Sequence, residues 1–134
     1  MEIRTAGKDD LAFLSARDRH IEPGELEALL ALGRVMVAQE GGEIAGWLRW
    51  NLFWDNTPFL NMLFVLEGCR GRGVGQVLLA RWEEQRKGAG HPLVLTSTLS
   101  SEGAQHFYRR RGYTDAGALL LPGEALEILF VKTI

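Results

Sequence analysis

The sequence predicts a single α/β domain over residues 1–134, a mixed and mostly antiparallel central sheet of six to seven strands with about four helices on both faces. Three observations predict it. Residues 63–82 pass from an apolar run through a loop with glycines at 68, 71, 73 and 75 into helically spaced Val74, Val77, Leu78 and Trp82, so the period changes from strand to helix. Residues 35–39 and the run from Ile44 onward flank Glu40-Gly41-Gly42-Glu43, two β-type segments around a glycine turn. Strand-like runs then return at 92–98, 113–120 and 126–132 with a short helical stretch between, the alternation expected of an α/β sheet.

Taken in order, residues 2–5 form a short strand, and Asp9 and Asp10 supply the acidic first turn that suits a helix N-terminus. Leu11, Phe13 and Leu14 give that helix its apolar side. Glu22-Pro23-Gly24 ends it and opens a second helix with Leu26, Leu29 and Leu30 on one face, Glu25 and Glu27 on the other, and Gly33 at its close. In the long hairpin strand Trp47, Arg49, Asn51 and Phe53 alternate with Gly46, Leu48, Trp50, Leu52 and Trp54. Aromatics are good strand residues, so this is read as a sheet face under helices and an amphipathic outer face, with an aromatic substrate cage as the rival. Asp55-Asn56-Thr57-Pro58 is a turn, residues 59–66 form the central strand, and the following helix spans 73–87 up to Gly88-Ala89-Gly90. Ala104, Phe107, Tyr108 and Arg111 share one face of the last helix, which Gly112 ends. Leu121-Pro122-Gly123-Glu124 joins the two tail strands.

At 134 residues the chain has the size of one core. A 46% hydrophobic and 24% charged composition is that of a globular protein, and no apolar run reaches the roughly 20 residues of a membrane span. The first residues lack a signal-peptide core. One cysteine, Cys69, permits no internal disulfide and favours a reducing, cytoplasmic setting. A net charge of -2 argues against nucleic acid as a partner, Arg109-Arg110-Arg111 being the only basic cluster. His20, His91 and His106 have no metal-ligand spacing, so no metal is expected.

The loop after the central strand carries the chemistry. Helix N-termini present unpaired N–H groups and partial positive charge, and glycines let a phosphate approach them, with Arg70 and Arg72 adding formal charge. A dinucleotide fingerprint starting at Gly71 would need a glycine where Gln76 stands, and no Gly-Lys-Ser/Thr ending is present for a P-loop. A loop that serves only tight strand-to-helix packing is the remaining alternative.

Arg70, Gly73 and Gly75 meet the pattern Arg/Gln-x-x-Gly-x-Gly/Ala. One strand later, Ala104-Gln105-His106-Phe107-Tyr108-Arg109-Arg110-Arg111-Gly112-Tyr113 meets Ala-x-x-Phe-Tyr-x-x-x-Gly-Phe/Tyr. With these two motifs in this order the chain resembles the GNAT superfamily of N-acetyltransferases over most of its length. The resemblance implies splayed central strands forming a cleft for acetyl-CoA as cosubstrate. The loop Arg70, Gly71, Arg72, Gly73, Val74, Gly75 and Gln76 would hold the pyrophosphate, while Phe64 and Val65 pair with the pantetheine arm like an added strand. Backbone N–H near Leu63 would polarise the thioester carbonyl. Tyr108 matches the general acid for the departing thiolate, a fitting role for a phenol of ordinary pKa near 10. Ser101 stands where many members have an Asn that contacts the cofactor, and Glu67 where Pro is frequent.

The base for the amine has no clear candidate. Asn61 is the only polar residue in 59–66, which leaves Glu67, Asp55 or an ordered water. The expected activity is acetyl transfer from acetyl-CoA to a primary amine by direct attack in a ternary complex, with a small-molecule amine preferred as acceptor. A protein N-terminus or lysine is the alternative acceptor. A non-catalytic acyl-CoA-binding module is the alternative of another class. Family members are often dimers, so a homodimer is among the assemblies the resemblance implies.

Overall fold

A computed structural model describes all residues, Met1–Ile134. The elements are β1 (Glu2–Thr5), α1 (Leu11–Arg17), α2 (Pro23–Ala31), β2 (Val35–Glu40), β3 (Glu43–Phe53), β4 (Thr57–Val65), α3 (Val74–Gly88), β5 (Leu93–Leu99), α4 (Ala104–Arg110), β6 (Thr114–Leu119) and β7 (Glu127–Thr133), with short 3-10 turns at Lys8–Asp10 and Glu67–Cys69. The strands form one seven-stranded mixed sheet in the order β1-β2-β3-β4-β5-β7-β6, with four α-helices. This is the predicted class. No helix is long and apolar enough to cross a membrane.

By contact density the chain divides into two compact units, Met1–Asn51 with Met62–Trp82, and Leu52–Asn61 with Glu83–Ile134. In the first, β1, β2 and β3 run antiparallel, with Val37 opposite Trp47 and Ala38 opposite Gly46. Val35, Val37 and Trp47 share a buried cluster with Leu14 of α1 and Leu26, Leu29 and Leu30 of α2. The other face of β3 meets α3, where Trp50 and Trp82 rings lie 6.3 Å apart. Pro23 opens α2 at its first turn, where the missing N–H costs nothing. Gly33 then turns the chain with φ +72°.

Both faces of β3 are buried from Ala45 to Trp50. The alternation therefore marks two covered faces, neither of them the amphipathic outer face expected. Asp9 and Asp10 form the acidic first turn expected at a helix N-terminus, where Asp10 accepts from the Gly7 N–H at 2.9 Å and also takes two hydrogen bonds from Arg4 at 2.8 Å.

In the second unit β4 pairs in parallel with β5 at Phe59–Leu95 and Leu60–Thr96. β5 pairs antiparallel with β7, and β7 with β6. Tyr108 of α4 packs on Phe130 of β7 with centroids 6.3 Å apart and edge-on to Tyr113 at 5.4 Å. Glu83 accepts from the Tyr113 hydroxyl at 2.8 Å and from Lys132 Nζ at 2.9 Å. Burial and the Glu83 charge both push the Tyr113 phenol far above its ordinary value. It is a fixed donor.

Candidate functional site

In the first unit the chain leaves β4 through the 3-10 turn at Glu67–Cys69 and enters α3 at Val74. The Leu66 N–H donates to the Ala45 carbonyl at 2.9 Å, and the Cys69 N–H to the Leu66 carbonyl at 2.8 Å. These bonds set the direction of the loop. Gly71 and Gly73 hold φ of +78° and +80°, which a side-chain-bearing residue adopts at a cost. A Cβ at either would meet nothing within 4 Å, so the loop's glycine side is open. At its end Val74 is buried and starts a helix of 15 residues, long enough for an appreciable dipole. The predicted residues Arg70, Gly71, Arg72, Gly73, Val74, Gly75 and Gln76 are thus contiguous around one helix N-terminus.

The two arginines are placed differently. Arg70 Nε donates to the Val65 carbonyl at 3.0 Å and its guanidinium lies 5.4 Å from the Phe64 ring centroid. That bond folds it back over the end of β4. Arg72 pairs with Glu40 at 2.9 Å, both side chains partly exposed. Its charge is shared with β2, so it contributes less positive potential to the loop than its sequence position implies.

Leu63, Phe64 and Val65 occupy the last three positions of β4. Phe64 is half-exposed and rests 5.0 Å from the Trp47 ring. Gly46 makes that approach possible. A Cβ there would stand 2.8 Å from the Phe64 carbonyl oxygen, 3.2 Å from a Val74 methyl and 3.4 Å from the Val65 Cα. Gly46 was not among the predicted site residues, although a lone glycine inside a strand of large residues signals a close backbone approach.

A second group the sequence does not mark lies under α1. Asp18, 5% exposed, accepts from Arg49 Nε at 2.7 Å and Nη2 at 3.2 Å, from Trp47 Nε1 at 3.3 Å and from the His20 N–H at 3.3 Å. Burial alone would raise its pKa. The Arg49 hydrogen bonds and charge, with those of His20 and Trp47, outweigh burial and hold it below the usual carboxylate range. This group ties the turn after α1 to Trp47, and through that ring to Phe64 at the end of β4.

In the second unit Tyr108 is 6% exposed and flanked by Phe107, Tyr113 and Phe130. Its hydroxyl is hydrogen-bonded with Thr96 on β5. Thr96 Oγ1 also donates to the Leu60 carbonyl of β4 at 2.9 Å. Burial pushes the Tyr108 phenol up to about 12 against the opposing effect of Thr96. It therefore keeps its proton at neutral pH.

Ser101 is exposed in the turn before α4, where Gln105 Nε2 donates to the Ser100 and Glu102 carbonyls at 2.9 and 3.0 Å. Glu67 is exposed at the start of its 3-10 turn. Asp55 sits in the turn that precedes β4. Of the arginine run, Arg109 is held by Asp115 through two 3.0 Å bonds, and Arg111 lies 3.8 Å over the Phe107 ring. No three His, Cys, Asp or Glu side chains converge as metal ligands.

The family model described as an acetyltransferase (GNAT) domain matches residues 31–115, which include both motifs. Among solved structures, an acetyltransferase of the GNAT family from Bacillus cereus is 22% identical, with 98% of this chain and 96% of that one covered at a TM-score of 0.80. A ribosomal-protein-alanine N-acetyltransferase from Brucella melitensis is 20% identical and covered in full, as is this chain, at 0.82. A PaiA N-acetyltransferase from Thermoplasma acidophilum in complex with coenzyme A is 14% identical, with 99% and 98% covered, at 0.80. At these identities the likeness is one of fold. No curated protein matches the sequence.

Proposed function

The chain belongs to the GNAT family of acetyltransferases, and from that premise we propose that it transfers the acetyl group of acetyl-CoA to a primary amine by direct attack, with residues 1–134 acting as one catalytic domain in a reducing, cytoplasmic setting. The observation that carries this is the open, positive-φ glycine loop of Gly71 and Gly73 at the N-terminus of α3. Its shape and dipole suit a pyrophosphate, which is the part of acetyl-CoA that a bare backbone can hold. Arg70 to Gln76 are assigned to that group, Phe64 and Val65 to the pantetheine arm, and Ser101 to a further contact.

Bound acetyl-CoA supplies a thioester open to a neutral amine. The chain's own residues do the rest. The N–H at Leu63 donates toward the carbonyl oxygen as charge develops there, an interaction worth on the order of 3 kcal/mol when preorganised. The Tyr108 hydroxyl gives its proton to the sulfur as the C–S bond breaks and the C–N bond forms. Glu67, directly or through water, takes the proton that the amine loses.

A small-molecule amine is the first choice of acceptor. A protein α-amine is the second reading, supported by the full-length likeness to a protein named a ribosomal-protein-alanine N-acetyltransferase. The test is thiol release from acetyl-CoA over a panel of small amines and N-terminal peptides. Turnover on a small amine supports the first choice, and peptides surpassing every small amine support the second. Tight acetyl-CoA binding with no turnover on any acceptor sinks the enzymatic reading in favour of a CoA-binding module.

A further inference from the structure

Thr98 of β5 is a polar residue where a valine would fill nearly the same space. It is 7% exposed, and its Oγ1 is shielded from solvent with no hydrogen-bond partner. A buried hydroxyl left unpaired destabilises the fold, and native proteins pair nearly all of theirs. Val94 and Thr96, earlier on the same strand face, show the two ordinary solutions. Val94 is buried and wholly apolar, and Thr96 donates to the Leu60 carbonyl at 2.9 Å. Thr98 follows neither.

It belongs to the same compact unit as Tyr108 and shares a face of β5 with Thr96, the hydrogen-bond neighbour of the Tyr108 hydroxyl. It stands about 7 Å farther along the strand, toward Ser101. On one side of Thr98 the ladder continues to Ile128 of β7. On the other, β4 pairs with β5 at Phe59–Leu95 and Leu60–Thr96 and has no partner for Thr98. The last part of β5 is thus unpaired on its β4 side, next to a hydroxyl that lacks a partner.

We propose that Thr98 is a positioning residue for acetyl-CoA, its hydroxyl hydrogen-bonded by the pantetheine amide nearest the sulfur. The inference rests on the reading above, in which Tyr108 serves the sulfur and Ser101 a further part of the cofactor, because Thr98 stands between their levels on β5. The arm carries an amide two methylenes from its sulfur, a reach on the scale of the step of about 7 Å from Thr96 to Thr98. An amide offers both a donor and an acceptor, so it satisfies a hydroxyl in either sense. Rotation about the Thr98 Cα–Cβ bond exchanges the hydroxyl and methyl among staggered positions, which turns the shielded Oγ1 toward the arriving arm. A hydroxyl that destabilises the free protein then stabilises the bound one.

Calorimetric titration with acetyl-CoA and with phospho-ADP, the part of CoA that ends at the pyrophosphate, tests this beside thermal melts of the ligand-free chain. Thr98→Val removes the hydroxyl alone, so its Tm is level or higher while its acetyl-CoA affinity falls about 3- to 10-fold, the loss of one hydrogen bond. Its phospho-ADP affinity stays within about twofold, since that fragment has no arm. Thr98→Ser keeps the hydroxyl and loses a buried methyl, so its Tm falls while its acetyl-CoA affinity stays within about twofold. A hydroxyl that only supports the fold, or only holds a water, gives Thr98→Val a lower Tm with unchanged affinity, and this overturns the proposal. Equal losses for both ligands overturn it as well. A wild type that binds acetyl-CoA no differently from Thr98→Val sinks this proposal alone, whereas a wild type that does not bind acetyl-CoA sinks the reading of the whole site with it.

Discussion

Gly46 and Phe64 face each other so closely that a methyl on the first would stand 2.8 Å from the carbonyl oxygen of the second. Backbone cannot give way as a flexible side chain does, so Gly46→Ala must push the end of β4 outward. Overpacking of this kind costs about 1–3 kcal/mol, and a Tm lower by about 5–10 °C is expected. Because Val74 is the next atom group in the path, the loop moves with the strand. Calorimetric titration should show acetyl-CoA affinity reduced at least about tenfold, and an unchanged affinity would mean that the loop is held independently of β3.

The Arg72–Glu40 pair makes a different prediction. Both partners are partly exposed, so the pair is worth no more than about 1 kcal/mol and can be exchanged for a phosphate. Glu40→Gln removes the competitor and should tighten acetyl-CoA binding by up to about fivefold at low salt, the gain fading as salt rises. Arg72→Ala should weaken binding and abolish the effect of Glu40→Gln in the double variant.

These two cases show what a sequence can and cannot disclose. The change of period across residues 63–79 is local, and so the strand, loop and helix appear where predicted, with Gly71 and Gly73 in the left-handed region that made glycine necessary. Pro23 and Gly33 bound α2 for equally local reasons. The β3–β4 turn, expected over 55–58, occupies 54–56, since Thr57 and Pro58 belong to β4 and Trp54 carries no turn signal of its own. Asp18 and Arg49 lie 31 positions apart and each looks like an ordinary solvated charge. Only the fold brings them together. Thr96 lies within the strand-like run 92–98, and its contact with Tyr108 depends on where α4 comes to rest.

The Asp18–Arg49 pair should be felt in stability. Asp18→Asn leaves the Arg49 cation buried without a counter-charge, a loss of about 3–5 kcal/mol at pH 7 by urea denaturation. Asp18 is held below its ordinary pKa, so the stability it contributes is complete above that ordinary value, near 4, and is lost as pH falls through its folded value. Wild type should therefore lose stability more steeply than Asp18→Asn on acidification below about pH 4. Parallel acid profiles would show that the carboxylate charge is not what holds the turn after α1.

Tyr108→Phe keeps the ring against Phe107, Tyr113 and Phe130 and removes the hydroxyl alone. If that hydroxyl protonates the leaving thiolate, kcat falls by about 10²–10⁴-fold while the acetyl-CoA affinity stays within about twofold. Packing as its only role predicts unchanged kcat. The phenol's pKa, raised by burial to about 12, separates the readings further. The acid stays protonated across the working range, so kcat should hold level up to about pH 10, and a fall centred near neutrality would assign the proton to another group. The sign for stability follows from the same shift. Because the folded value lies above the ordinary one near 10, Tyr108's contribution is intact below pH 10 and drains away between about 10 and 12 as only the unfolded chain ionises. Relative to Tyr108→Phe, wild type should lose on the order of 2 kcal/mol across that interval, at about 1.4 kcal/mol per pH unit, and Thr96→Val should lower kcat less than Tyr108→Phe, since Thr96 neighbours the hydroxyl without giving its proton.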